Sequence, residues 1–113
     1  MRGRDGLPTS FAEDVLDLSS RIPQGRVLSY GDVAAVLGSG GARAVGTVMA
    51  RFGSDVPWWR VVRSDGHLPA GHEREALARH LAEGTPLVRR RGPTIVARDR
   101  RIDMSRARWT DAG

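Results

Sequence analysis

Two short apolar segments on either side of a glycine-rich turn constrain the fold of this chain more than any other feature. In the first segment, Ser29 is a candidate helix N-cap with Asp32 three residues later, and Gly38 is placed to end the helix. The turn Ser39-Gly40-Gly41 leads to a second apolar pattern, at helical spacing, between Ala42 and about Phe52. Two such helices joined by a short glycine-containing turn are typical of a helix-turn-helix.

The outward face predicted for the second helix consists mostly of small residues. It carries Arg43, Gly46, Thr47 and Ala50, at positions i, i+3, i+4 and i+7. A protein that reads base sequence needs several long side chains to reach the base edges, and only Arg43 is long here. Small residues instead allow a helix backbone to approach a DNA groove closely, so we predict DNA contact without sequence readout. Tight packing against another helix is the alternative explanation.

The segment Pro57-Trp58-Trp59-Arg60-Val61-Val62 contains two of the chain's 3 tryptophans. Neighbouring residues of an extended segment point to opposite faces, so the two indoles cannot both face one core. Tryptophan is favoured where one end of the ring is apolar and the other is wet. We therefore predict that one of the two lines a pocket or an interface, with burial of both rings in the core as the alternative.

This segment resembles Pro-Cys-His-Arg-Val, the active-site box of the O6-alkylguanine-DNA alkyltransferases. Trp58 stands in the place of the cysteine, a replacement common in alkyltransferase-like proteins, and Trp59 replaces the usual histidine. Residues 25–30 and 42–46 resemble the helix-turn-helix of the same family, and the resemblance extends over about residues 11–109. It implies a mainly α domain with short β hairpins, a winged helix-turn-helix-like DNA-binding domain of the alkyltransferase C-terminal type.

The resemblance also implies roles for individual residues. Arg43 matches the arginine that enters the base stack when a nucleotide is extruded, and Tyr30 matches the tyrosine that helps to rotate the phosphate of that nucleotide. Backbone carbonyls at positions matching Trp58 and Val61 would face the guanine edge. A plain phosphate contact for Arg43 and a packing role for Tyr30 are the alternatives. For Arg60 we expect an internal ion pair rather than a DNA contact.

Some relatives carry an arginine that stacks on the lesion in the loop after the box. Residues 68–72 of this chain contain no arginine, so His72 or Arg74 is expected to substitute for it. The predicted DNA contacts are Tyr30, Arg43, Gly46, Thr47 and Ala50. The predicted lesion pocket consists of Tyr30, Pro57, Trp58, Trp59, Val61, Val62, His72 and Arg74.

The chain contains 0 cysteines, which excludes a thiol nucleophile. Alkyl transfer in the family requires a thiolate assisted by a histidine, and Trp58 and Trp59 replace both groups. Glu83 lies near the family's relay glutamate, but a relay has no purpose without the other two groups. The histidines show no metal-ligand spacing with carboxylates. We therefore predict a protein that is not an enzyme and has no catalytic residues, metal or cofactor.

The charge of the chain favours a polyanionic partner. Its net charge is +5, and all 18 basic residues are arginines, whose planar guanidinium suits phosphate. The resemblance implies that this partner is duplex DNA containing O6-alkylguanine, and that the protein flips the lesion and flags it for nucleotide excision repair. A helix-turn-helix transcriptional regulator is the alternative, although no dimerisation helix is evident. A third hypothesis is an enzyme that uses the histidines and Glu83, and no arrangement of residues in the sequence supports it.

We expect a cytoplasmic protein, because no apolar run approaches the ~18 residues of a membrane span. We also expect the protein to be a monomer and to be associated with the nucleoid. The first eight residues are predicted to be a flexible arm, followed by a single domain over residues 9–113. A helix from Glu73 to about Glu83 is expected to bury Leu77 and Leu81. Three further features complete the predictions: a turn at Asp65-Gly66, a hairpin of Leu87-Val88 with Thr94-Ile95-Val96, and a tail anchored by Ile102, Met104 and Trp109.

Overall fold

The computed structural model describes residues 10–89 and 96–112, and these residues form five helices and one pair of short strands. In chain order they are α1 (Ser10–Arg21), β1 (Leu28–Ser29), α2 (Tyr30–Leu37), α3 (Gly41–Phe52), β2 (Val61–Val62), α4 (Glu73–Glu83) and α5 (Met104–Ala107). Short 3-10 turns lie at Gly53–Asp55, Trp58–Arg60 and Ala97–Asp99. The predicted N-terminal arm lies outside the described residues.

The predicted helix-turn-helix is confirmed as α2, a tight turn and α3. Ser29 and Asp32 cap α2 reciprocally: the Asp32 N–H donates to Ser29 Oγ and the Ser29 N–H donates to Asp32 Oδ2, both at 2.9 Å. Gly38 ends the helix at φ +72°, where its N–H donates to the carbonyls of Ala34 and Ala35. The chain then bends by 108° into α3, within the range of helix-turn-helix motifs.

Gly40 permits the turn to pack against α1. A Cβ atom at this position would lie 2.4 Å from Cζ of Phe11, and the backbone has a φ of +86°. Both observations require glycine, since no larger residue fits that space or adopts that conformation without strain. The ring of Phe11 on α1 therefore packs closely against the backbone of the turn.

Within residues 10–89 and 96–112, no single helix is long and apolar enough to cross a membrane. The helices α2 and α3 satisfy such a test by length and composition only when they are taken together as a bent pair.

The strand pair joins the helix-turn-helix to the tryptophan segment. Leu28 pairs with Val61 and Ser29 with Val62, in parallel. The connection between the two strands runs through α2 and α3, which form the crossover that a parallel pair requires. The C-terminal tail extends the arrangement: the Val27 N–H donates to the Ala107 carbonyl at 3.0 Å, and the Trp109 N–H donates to the Val27 carbonyl at 2.9 Å.

The turn at Asp65-Gly66 is present, with the Arg63 N–H donating to the His67 carbonyl at 3.0 Å and Gly66 at φ +90°. The second predicted hairpin lies largely outside the described residues, because residues 90–95 are not among them. Among the described residues, Leu87 of its first strand candidate forms an antiparallel bridge with Ile102 in the tail.

The core consists of two clusters, and Trp58 contacts both. The first lies among α1, α2 and α3 and includes Val15, Leu18, Val33, Val45 and Val61; the second lies between the tail and α4 and includes Val27, Val62, Leu68, Ala76, Ile102 and Ala107. The predicted anchoring of the tail is therefore confirmed, because Trp109 packs on the first cluster and Ile102 and Met104 belong to or pack on the second.

The inward face of α4 differs from the prediction. Leu77 packs against the second cluster, but Leu81 is 59% exposed, and fully buried His80 takes the inward position. The ring of His80 can be buried because both nitrogens are satisfied: Nε2 lies 2.6 Å from the Trp59 carbonyl and Nδ1 lies 2.9 Å from Thr85 Oγ1. A carbonyl only accepts, so Nε2 carries a proton, and because burial lowers the pKa of His80, the neutral ring with Nδ1 accepting from the hydroxyl is favoured.

Acidification is expected to destabilise the protein through His80. Desolvation by burial, the largest influence, lowers the pKa of His80 below its ordinary value of 6.5. As the pH falls, the imidazole of His80 is therefore protonated in the unfolded chain before it is protonated in the folded one. The free energy of unfolding is highest above pH 6.5 and decreases as the pH falls below that value. The slope should reach at most about 1.4 kcal/mol per pH unit.

Urea unfolding between pH 7.5 and pH 5 measures this dependence. The variant His80→Gln, which does not titrate in this range, should show a flatter curve than the unmodified protein. Identical slopes for the two proteins would contradict the assignment.

Candidate nucleic-acid interface

A cavity of about 550 Å³ opens between α3, the Trp58 turn and the start of α4. This volume lies within the ~300–1,000 Å³ of small-molecule sites. The cavity is lined by Tyr30, Gly46, Met49, Ala50, Gly53, Ser54, Trp58, Pro69, Ala70, His72 and Glu75. Its walls therefore combine one apolar helix face, two aromatic rings and a few polar groups at the side of α4.

The exposed face of α3 continues directly from this cavity. Gly46 and Ala50 line the cavity wall, whereas Arg43 and Thr47 lie exposed on the same helix face beyond it. Thr47 donates its hydroxyl proton to the Arg43 carbonyl at 3.1 Å, which leaves the Arg43 side chain as the long polar group of this face. The alternative of helix packing is wrong, because Arg43, Thr47 and Ala50 are all exposed.

Tyr30 joins the two regions. It is the first residue of α2, directly after the Ser29 cap, and its partly buried ring lines the cavity. Burial, the largest influence, raises the pKa of Tyr30, and the charge of Arg63 opposes that effect. The phenol therefore stays protonated at neutral pH and can donate a hydrogen bond at the cavity mouth.

Trp58 forms the wall opposite α3. The segment is a 3-10 turn and not the extended strand assumed from the sequence, so the two neighbouring indoles meet edge to face, with centroids 5.7 Å apart at 87°. The His72 ring also meets Trp58 edge to face, at 5.7 Å and 62°. These two contacts hold the indole at the side of the cavity.

Trp59 does not line the cavity, which corrects its predicted place in the pocket. Its Nε1–H donates to Glu83 Oε2 at 2.9 Å. The guanidinium groups of Arg79 and Arg60 lie 4.5 and 5.3 Å from its ring centroid. The indole is therefore held by α4 and supports Trp58 from behind.

Glu83 is the centre of a buried polar cluster under the Trp58 turn. Arg60 Nη2 lies 2.6 Å from Glu83 Oε2, and the two side chains are only 12% and 9% exposed. The Gly25 N–H donates to Oε1 at 3.1 Å, and Arg60 Nη1 donates to the Ile22 carbonyl at 2.9 Å. The expected internal ion pair of Arg60 is confirmed.

Two opposing effects act on the pKa of the Glu83 carboxyl. Desolvation, the largest single influence, raises it, but hydrogen bonds from Arg60, Gly25 and Trp59 together bring it below its ordinary value. The carboxylate therefore stays ionised and fully engaged as an acceptor, so Trp58 has no free base beside it at this point.

The other predicted pocket residues are not part of the cavity lining. Val61 and Val62 are fully buried in the two core clusters, and the predicted contact of the Val61 carbonyl with a guanine edge stays a prediction. Pro57 and Arg74 do not line the cavity, and Arg74 points from the exposed side of α4. Of the eight predicted pocket residues, Tyr30, Trp58 and His72 lie in the cavity wall. Their roles in binding a lesion stay predictions.

Several residues line the cavity that were not predicted as site residues: Met49, Gly53, Ser54, Pro69, Ala70 and Glu75. Helical spacing was a usable signal for two of them, since Met49 and Gly53 lie three and seven residues after Gly46. Glu75 likewise follows His72 by three residues at the start of α4. Within the part of the chain that the structure describes, no three His, Asp or Glu side chains are grouped to hold a metal ion.

A match to a known protein family shows which family the chain belongs to. The DNA-binding domain of 6-O-methylguanine DNA methyltransferase matches residues 10–84. The chain belongs to this family. The winged helix-turn-helix-like fold is confirmed by the same match and by the solved relatives.

Relatives within the family include both binding proteins and enzymes. A DNA base-flipping protein of Escherichia coli K12 is 38% identical over 108 residues, which cover 88% of this chain and 74% of that protein. A methylated-DNA–protein-cysteine methyltransferase of Methanothermobacter thermautotrophicus is 40% identical over 76 residues, covering 66% of this chain and 43% of the enzyme.

Two solved structures of S. pombe Atl1 share the fold. One is a complex with damaged DNA containing O6-carboxymethylguanine, with a TM-score of 0.74 and 25% identity, and it covers 92% of this chain and 99% of Atl1. The other is a complex with DNA, with a TM-score of 0.71, 26% identity and the same coverage. The similarity therefore extends over nearly the whole length of both chains.

Proposed function

We propose that this protein recognises O6-alkylguanine in duplex DNA, flips the damaged nucleotide into the cavity beside Trp58, and transfers no alkyl group. The observation that carries the proposal is the continuity of the exposed α3 face with a cavity whose far wall is Trp58. A helix laid in a DNA groove by that face would bring the cavity mouth to the duplex. The similarity to S. pombe Atl1, which was solved in complex with damaged DNA, supports DNA as the partner.

The energetics of base flipping agree with the residues around the cavity. Extruding a nucleotide costs a few kcal/mol, and the cost is least for a damaged or mispaired base. Arg43 is exposed and unobstructed on α3, where its planar cation can fill the gap in the base stack. Gly46 and Ala50 leave room for the backbone of the displaced nucleotide, and Trp58 offers an aromatic surface to the base.

The chemistry of the cavity supports binding without transfer. An alkyl acceptor needs a thiolate, and the sequence contains 0 cysteines. The Trp59 N–H is donated to Glu83, and Glu83 is paired with Arg60, so neither group can activate a nucleophile at position 58. We propose that the bound lesion is instead left in place as a mark for nucleotide excision repair.

A transfer assay tests this function. The protein is incubated with duplex DNA carrying isotopically labelled O6-methylguanine, and its intact mass is measured. We expect no gain of a methyl group, either by the unmodified chain or efficiently by Trp58→Cys, in which Trp59 still occupies the histidine position. A methylated peptide from the unmodified chain would overturn the proposal.

A second arm of the same assay adds a genuine alkyltransferase. A protein that occupies the lesion should slow the added enzyme once its concentration exceeds its own dissociation constant for the duplex. An unchanged enzyme rate at saturating concentration would contradict lesion binding, even if no transfer is seen.

A further inference from the structure

We propose that Glu75 makes the cavity select against O6 substituents that carry a negative charge. The inference rests on the proposed function and specifies its class of ligand. Among the described residues that line the cavity, Glu75 is the one carboxylate, and no arginine is present. The other polar lining side chains are the hydroxyls of Tyr30 and Ser54 and the ring of His72.

The position of Glu75 places its charge at the mouth of the cavity. It lies in the first turn of α4, three residues after His72, and its side chain is 59% exposed. The Trp58 ring meets His72 on the same side, so a group attached to a base held beside Trp58 would project towards this turn. The substituent of the lesion therefore comes within range of the carboxylate.

Neighbouring cations compensate this charge only weakly. Arg79 Nη2 lies 3.8 Å from Glu75 Oε2, and both side chains are more than half exposed, a type of pair whose energy is small. The Arg79 guanidinium lies over the ring of Trp59, behind the cavity wall. The N-terminus of α4, the positive end of its helix dipole, lies beside the same cavity. Glu73 and Glu75 in its first turn both add negative charge there.

The consequence is a preference among lesions by charge. Neutral alkyl groups can pack on the apolar walls formed by Met49, Ala50 and Trp58. A carboxylate on the lesion would instead lie near a like charge. For two charges ~4 Å apart in a water-like medium, the repulsion corresponds to about fivefold in binding.

A matched pair of lesions isolates this effect. Duplexes of one sequence carry guanine, O6-methylguanine, O6-carboxymethylguanine or O6-carbamoylmethylguanine, the last being the neutral amide of nearly the same size as the acid. We expect the unmodified protein to bind the amide more tightly than the acid, and Glu75→Gln to reduce that ratio about fivefold. Asp14→Asn removes the same charge from an exposed site on α1 and should leave the ratio unchanged.

The outcomes separate this inference from the proposed function. A tighter complex with O6-methylguanine than with guanine, together with an amide-to-acid ratio that Glu75→Gln lowers and Asp14→Asn does not, supports both. The same lesion preference with a ratio unaffected by Glu75→Gln, or lowered equally by Asp14→Asn, overturns the role of Glu75 alone. Equal binding of O6-methylguanine and guanine overturns the proposed function and this inference with it.

Discussion

Glu83→Gln is expected to lower the free energy of unfolding by about 3 kcal/mol, the largest stability effect of any single charge removal in the described residues. The carboxylate is 9% exposed and compensates the Arg60 guanidinium, which is 12% exposed. A neutral amide of the same shape leaves that guanidinium buried without a counter-charge. The amide is also a weaker acceptor for the Gly25 N–H and the Trp59 Nε1–H, so the hydrogen bonds that connect both residues to α4 are weakened as well.

Urea unfolding at pH 7 measures this loss, and Asp17→Asn is the control. Asp17 pairs with Arg21 at 3.2 Å on the surface of α1, with both side chains more than half exposed. Its removal should cost no more than ~0.5 kcal/mol. Losses of equal size for the two variants would show that the Arg60–Glu83 pair does not stabilise the fold.

Arg43→Ala is expected to weaken binding to a lesion-containing duplex by roughly 10- to 100-fold, the range that stacking on a base contributes. Arg43 is exposed on α3, so its removal should leave the fold intact. Arg43→Lys retains the charge but lacks the planar guanidinium, and it should not restore binding.

Arg98→Ala is the matched control, because Arg98 is also exposed and lies in the 3-10 turn Ala97–Asp99, away from the cavity lining. Fluorescence anisotropy of a labelled duplex gives both dissociation constants. Equal losses for Arg43→Ala and Arg98→Ala would mean that Arg43 makes only a phosphate contact.

The parts of the fold that sequence reasoning predicted well are those determined by neighbours in the chain. The capping box of Ser29 and Asp32 and the left-handed glycine at Gly38 are contacts within four residues, and both are present. The bounds of α4 follow in the same way from the apolar spacing and from Gly84, which also adopts a left-handed conformation. Such signals depend on propensity and capping, which a sequence displays directly.

The parts that were missed depend on contacts between distant segments. Trp59 was assigned to the pocket together with Trp58, whereas a 3-10 turn directs its indole to Glu83, 24 residues later. Leu81 was expected on the buried face of α4 because it is hydrophobic. His80 is buried there in its place, since the Trp59 carbonyl and the Thr85 hydroxyl form hydrogen bonds with both nitrogens of its ring. No local pattern carries that information, because tertiary partners decide which face of a helix is buried.

An equilibrium titration of one duplex with either guanine or O6-methylguanine at a single position tests the central claim most directly. Tryptophan fluorescence reports binding, since Trp58 lies in the cavity wall. Lesion recognition predicts that the O6-methylguanine duplex binds at least about tenfold more tightly, equivalent to roughly 1.4 kcal/mol. Equal dissociation constants for the two duplexes, with affinity that instead varies with the surrounding sequence, would contradict lesion recognition and favour a transcriptional regulator.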